Sequence, residues 1–236
     1  MSHESNPSHP LPAGLVGVAV DFDPFAADPA APAIEQVITP TDAQREVWLA
    51  DHLGREASLA YNEAVELDLR GPLDDAAVTR LQGACQAVHH AHQALRAVFS
   101  DDGSEMLVQP ADAAPLVFDV VDLRMQDEST RNRRLTDWRQ QVVTAPFDLG
   151  KGPLFRAHLL RLTDQHGVLL LAAHHLVCDG YSFGIVLRDL ARAMRGEPLA
   201  SSAYADYAAD EARFAQSAEA GANVHFWTGR YAKDVP

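Results

Sequence analysis

A chain of 236 residues with 47% apolar content carries enough material for one substantial core, in a single large domain. Its formal net charge of −14, with no basic stripe to offset it, argues against a nucleic-acid partner. Two cysteines, Cys85 and Cys178, are too few for a disulfide framework, and no apolar run approaches the roughly 20 residues that span a bilayer, so a cytoplasmic setting without a membrane segment is expected. The first ten residues contain no Lys or Arg and do not form a signal-peptide start. Residues 1–38 read as a flexible Pro/Ala-rich tail or linker. Proline recurs there at Pro7, Pro10, Pro12, Pro24, Pro29 and Pro32, and such a segment buries too little to offset its ordering entropy. The short run at residues 15–20 offers a docking strand, though a linker suits the composition better.

The folded part is expected over residues 39–236. Thr39-Pro40-Thr41-Asp42 is a helix start with Thr or Asp as cap, and Val47, Trp48 and Leu49 would seat that helix on the core. Residues 64–70 alternate strictly, which predicts a strand with one buried face, ended by Gly71-Pro72. A helix then starts at Asp74 or Asp75, with Ala77, Val78, Leu81, Ala84, Cys85 and Val88 at helical spacing. It runs into His89-His90-Ala91-His92, which read on their own as solvated histidines near a helix C-terminus. Asp101-Asp102-Gly103 marks a hairpin turn between residues 97–99 and 106–108. A strand at 117–123, a helix at 127–145 with Leu135, Trp138, Val142 and Val143 inward, and a structured loop at 146–155 follow. Strands at 156–162 and 168–173 are expected to be neighbours. Beyond residue 180 the pattern gives a helix to about 195, another to about 220, and a last helical segment around His225-Phe226-Trp227.

The chain is organised around His174-His175-Leu176-Val177-Cys178-Asp179-Gly180. This stretch sits between the apolar strand ending at Ala173 and the helix that begins near Tyr181. A rigid strand-to-helix loop of this kind is where a fold positions chemistry. A neutral imidazole accepts a proton near pH 7. Adjacent residues leaving a strand point to opposite sides, so one histidine should face a cavity and the other turn back into the protein. Asp179 is placed either to orient an imidazole or to pair with an arginine behind the loop. The structural alternative is a buried polar loop satisfied by its own backbone. A metal site fits poorly, because neighbouring strand residues rarely converge on one ion and no third ligand cluster follows. Gly180-Tyr181-Ser182-Phe183-Gly184 matches a nucleophile elbow, but Ser182 lies well past the strand end, and Asp206, Asp210 and His225 are too close together to complete a hydrolase triad.

HHLVCDG resembles the HHxxxDG signature of nonribosomal peptide synthetase condensation domains, in the chloramphenicol-acetyltransferase-like superfamily. Further stretches match in the family's order. Ala43, Gln44 and Trp48 match SxAQxRLWxL, with Thr41 where Ser is usual. His92, Leu95, Arg96 and Phe99 match RHExLRTxF, with Ala91, Gln93 and Ala97 in place of Arg, Glu and Thr. Pro146-Phe147-Asp148-Leu149 and Gly152-Pro153-Leu154 resemble the family's P-F-D-L…G-P-L stretch, and Tyr204, Asp206, Tyr207 and Ala208 resemble YxDYAVW, whose ending is lost at Ala209 and Asp210. The sequence most resembles condensation domains of hybrid polyketide–peptide assembly lines.

The resemblance implies an α/β fold, a chloramphenicol acetyltransferase-like two-layer lobe with a mixed β-sheet packed with helices. Residues 39–236 would be the N-terminal lobe, without the motifs of the C-terminal lobe, which would be a missing partner across the cleft. It implies amide-forming acyl transfer between donor and acceptor carrier proteins, their substrates held on phosphopantetheine arms, with no intrinsic cofactor and no metal. His175 would face the tunnel as base or amine holder, and His174 would turn inward. The Gly180 N–H would be aimed at developing charge, and Arg96 is a candidate partner for Asp179 in support of the loop. Other readings are a lobe that docks carrier proteins without catalysis, and an oligomeric free-standing acyltransferase.

Overall fold

A computed structural model of the chain describes residues 33–231 apart from 115 and 202. In chain order the elements are β1 (Gln36–Ile38), α1 (Asp42–Asp51), α2 (Arg55–Ala60), β2 (Asn62–Arg70), α3 (Asp75–Ala91), β3 (Ala97–Phe99), β4 (Met106–Val108), β5 (Val117–Asp122), α4 (Glu128–Val143), β6 (Phe155–Thr163), β7 (His166–His174), α5 (Gly180–Met194), α6 (Tyr204–Ala215) and α7 (Ala218–Tyr231). A short 3₁₀ turn, Gln93–Arg96, joins α3 to β3.

The main sheet has the order β2-β7-β6-β5. Strand β7 is central, and its apolar run is buried from Gly167 to His174, as a strand covered on both faces requires. Antiparallel pairing on either side sets Leu171 opposite Val65 of β2 and Ala157 of β6. Edge strand β2 shows the expected alternation, with Val65, Leu67 and Leu69 packed on the core and Glu66 and Asp68 facing away. Strands β5 and β6 are parallel, so the chain must cross over between them, and α4 makes that crossover. The sheet is therefore mixed and packed with helices.

The two faces of the sheet hold different helices. His89 of α3 stacks on Phe155, Arg161 reaches Asp75 at the start of α3 (2.7 Å), and α3 packs against α5. Phe155 and Arg161 share the parity of Val65, so α3 and α5 lie on that face. Helix α4 meets the opposite parity, through Arg139 on Glu66 (2.5 and 2.6 Å) and Asn62 Nδ2 on the carbonyls of Val143 and Ala145. A second sheet, β1-β4-β3, contains the expected hairpin. Its turn packs under Trp48. A Cβ at Gly103 would lie 2.5 Å from the indole, and φ there is +68°, so only glycine fits.

Several expectations are corrected. Strand β1 lies inside the stretch read as tail, because its backbone completes the edge of β4 from Gln36 to Ile38. The run at residues 15–20 lies outside the described residues. Leu49 points to solvent, and Gln44 is the buried residue of α1. Helix α2 carried no pattern strong enough to predict it. The helix expected to reach about residue 220 stops at Ala215, and Ser217 caps a new one by accepting from the Ala220 N–H. His89 is 1% exposed rather than solvated, and burial pushes its pKa down to about 4. Among the described residues no helix is long and apolar enough to cross a membrane.

Candidate functional site

Strand β7 delivers the two histidines to its end, where the ladder continues for one more residue. The His174 N–H donates to the Leu154 carbonyl and the His175 N–H to the Tyr61 carbonyl, each at 2.9 Å. The chain then turns tightly. The Val177 N–H returns to the His174 carbonyl (3.0 Å), and the Leu176 N–H donates to His174 Nδ1 (3.2 Å). Leu176, Val177 and Cys178 are buried, which holds the loop down on the core.

Strand parity separates the two imidazoles. His174 is fully buried, with its Nε2 3.3 Å from Asp51 Oδ1 and the edge of Phe147 beside it. Because Nδ1 accepts from a backbone N–H, the proton of the neutral ring sits on Nε2, directed at Asp51. Burial lowers the pKa of His174, and Asp51 only partly opposes that shift. His175 emerges on the other side, with its side chain 37% exposed and its Nδ1 2.5 Å from Glu63 Oε1 of β2. Among the described residues no group makes a hydrogen bond to this buried Nδ1, the Glu63 contact included.

Asp179 and Gly180 begin α5. The Asp179 carboxylate accepts from the Ser182 N–H (2.7 Å) and hydroxyl (2.6 Å), which makes it the helix N-cap. These Ser182 bonds hold its carboxyl below the ordinary value. The expected pairing with Arg96 is therefore corrected. Arg96 binds Glu35 (2.8 Å) and the Gln109 carbonyl, tying the 3₁₀ turn to the β1–β4 sheet. The free N–H groups of α5 already claim Asp179, and local satisfaction wins. Gly180 is exposed as the first residue of the helix, with open space where a Cβ would sit. The Ser182 hydroxyl belongs to this cap rather than to a nucleophile elbow. Cys178 is buried, which pushes its thiol up to about 12, so it stays protonated.

Two motif residues have roles that the motifs alone did not reveal. Gln44 donates from Nε2 to the Leu176 carbonyl (2.8 Å) and closes the α1 capping box by accepting from the Thr41 N–H (3.1 Å). His92 Nε2 lies 3.0 Å from Asp189 Oδ2, and this pair, not Arg96–Asp179, links the end of α3 to α5. Asp189 sits among Val186 and Leu190 on the inward stripe of α5, and a carboxylate there is the signal that sequence offered. Among the described residues no group of three or more His, Cys, Asp or Glu is arranged to hold a metal. A groove of about 860 Å³ lies elsewhere, between the chain segment from β1 into α1 and the helices α6 and α7, and contains neither histidine.

A histidine pair split by a central strand, braced from α1 and capped into α5, accounts for a motif rather than for a lone residue. The profile of the condensation domain family matches residues 34–236. Over 193 residues the chain is 35% identical to chondramide synthase cmdD of Chondromyces crocatus, covering 77% of this chain and 5% of that protein. Over 217 residues it is 31% identical to phosphinothricin tripeptide synthetase PhsC of Streptomyces viridochromogenes, covering 88% of this chain and 19% of that one. The starter condensation domain of the rhizomide synthetase RzmA superposes with a TM-score of 0.71 at 22% identity, covering 85% of this chain and 49% of that chain. The chain thus spans about half of a solved condensation-domain chain and a small part of each synthetase, and the superposition shows the fold expected from the motifs. By profile, relatives and fold together, the chain belongs to the condensation domain family.

Proposed function

We propose that this chain supplies the histidine-loop side of an amide-forming acyl-transfer site. The donor is an acyl thioester on one carrier-protein phosphopantetheine arm, and the acceptor is an aminoacyl thioester on another. The acceptor amine attacks the donor carbonyl. A C–N bond forms, the C–S bond breaks, and the proton lost by the attacking nitrogen ends on the departing sulfur, so the arm leaves as a thiol. His175 is the group that holds the amine or takes its proton, His174 and Asp51 fix the loop behind it, and the Gly180 N–H faces the charge that develops on the carbonyl oxygen. No resident metal or cofactor takes part.

One observation carries this reading. His175 is the partly exposed histidine of the pair, anchored through its backbone and with Nδ1 buried, so the exposed part of the ring lies on its Nε2 side. Thioester aminolysis is intrinsically facile, and positioning alone can supply much of the acceleration. The far wall of the cleft belongs to the C-terminal lobe of the same domain.

A single-turnover reaction with the intact protein that carries this sequence and two loaded carrier domains, read by intact mass, tests it. The acyl group should move to the amine of the acceptor, leaving the donor arm as a free thiol. Hydrolysis of the donor with no acylated acceptor would contradict the proposal.

A further inference from the structure

We infer that Glu63 is a positioning residue for His175, which sets the imidazole tautomer so that Nε2 presents a lone pair. The inference rests on the role proposed for His175 and deepens it. Glu63 lies near the start of β2, opposite Ala173 in the β2–β7 ladder. It therefore sits diagonal to His175 on the same side of the sheet, within reach of a long side chain. Its carboxylate oxygen is 2.5 Å from His175 Nδ1.

That nitrogen is buried and lacks an aligned hydrogen bond, and a buried ring nitrogen without a partner is costly. The Glu63 carboxylate oxygen is the acceptor that an Nδ1–H would meet at this distance. A carboxylate only accepts, so the neutral ring must then carry its proton on Nδ1 and leave Nε2 bare. The neighbouring histidine shows the opposite arrangement. The Leu176 N–H donates to His174 Nδ1 and leaves the His174 proton on Nε2. Two adjacent imidazoles are thus set in opposite tautomers by different partners, the Leu176 N–H of the loop for His174 and Glu63 of β2 for His175. Tyr61, whose ring centroid is 6.2 Å from that of His175 and whose carbonyl accepts the His175 N–H, fills the space beside the ring.

The positioning follows from the backbone register. Asn62 pairs with His174, so Glu63 cannot leave its place beside His175 without slipping the whole β2–β7 ladder. Removing the carboxylate leaves the sheet intact, because Glu63 is a partly exposed residue on an edge strand.

The test is ¹⁵N NMR of the His175 imidazole in the intact domain that carries this sequence, at a pH where the ring is neutral, assigned by comparison with His175→Gln. Wild type should show a protonated Nδ1 and a bare Nε2. Glu63→Ala should move the proton to Nε2, and Glu63→Asp should restore the wild-type pattern in part. In the transfer reaction Glu63→Ala should lower kcat with little change in KM, by roughly 10–100-fold, the scale of losing a carboxylate behind a metal-bound imidazole. A wild-type ring already protonated on Nε2 overturns the inference, as does a tautomer that Glu63→Ala leaves in place. A tautomer that moves while kcat does not overturns the positioning role. The NMR readout involves no acyl transfer, so it stands apart from a failure of the proposed reaction, which His175→Ala reads separately.

Discussion

At the residue scale, the sharpest lesson lies in Asp179. The alternation of a strand separated His174 from His175 correctly, because the direction of successive side chains is a local property. The partner of Asp179 was not local in the same way. An arginine elsewhere in the chain competed with the free N–H groups of the helix that Asp179 itself begins, and Ser182 three residues on was the nearer donor. Asp179→Ala should therefore cost about 0.5–2 kcal/mol, the worth of an N-cap, and not the ~3–5 kcal/mol of a broken buried ion pair. Asp179→Asn, which still caps, should recover most of that loss in a urea titration. A loss at the larger figure, with no recovery by Asn, would show that Asp179 is held by a buried charge. The pH dependence has a definite sign. The carboxyl is held below its ordinary value, so its contribution is present above the unfolded value near 3.9 and disappears as pH falls through the lower folded value.

At the scale of elements, the helix patterns were legible where an apolar stripe was long, as in α3, α4 and α5. They were not legible where polar residues face inward for a purpose. Gln44 matched a motif position of α1 without showing what it does, and it is buried and holds the Leu176 carbonyl. Gln44→Ala should cost about 1–3 kcal/mol by stranding that carbonyl. It should also slow the transfer reaction, since the carbonyl belongs to the loop that carries His175. An unchanged urea midpoint would show that the loop holds itself.

His89 makes the same point on α3. Histidines near a helix end suggest solvation, but the packing of α3 against β6 buries this one, and among the described residues its Nδ1 has no hydrogen-bond partner. Its pKa is pushed down to about 4, so below the unfolded value near 6.5 the unfolded chain gains a proton that the folded one refuses. Stability should fall from about pH 6.5 to about pH 4, by on the order of 3 kcal/mol, and then level off for this group. His174 is shifted in the same direction and adds to the slope. His89→Leu should flatten the difference between urea midpoints at neutral and acid pH. Parallel pH profiles for wild type and His89→Leu would remove His89 as the source.

At the scale of the whole molecule, the order of motifs along the chain was enough to anticipate the family and its mixed sheet. The apolar run of β7, the alternation of β2 and the stripe of α4 marked single elements, and only the resemblance carried by the motifs implied how they pack. What sequence left open was tertiary. The second sheet draws in residues read as tail, and among the described residues α7 has no buried side chain, with Val224, Phe226, Trp227 and Tyr231 exposed. The His175 ring likewise meets solvent on one side. The proposal makes His175, on the loop between β7 and α5, the group that handles the acceptor amine. The most direct measurement is single-turnover amide formation between two loaded carrier domains by the intact protein, wild type against His175→Ala. The account predicts a loss of about 10²–10⁴-fold in the variant, with the fold and carrier binding unchanged. A His175→Ala protein that forms the amide at the wild-type rate would contradict it.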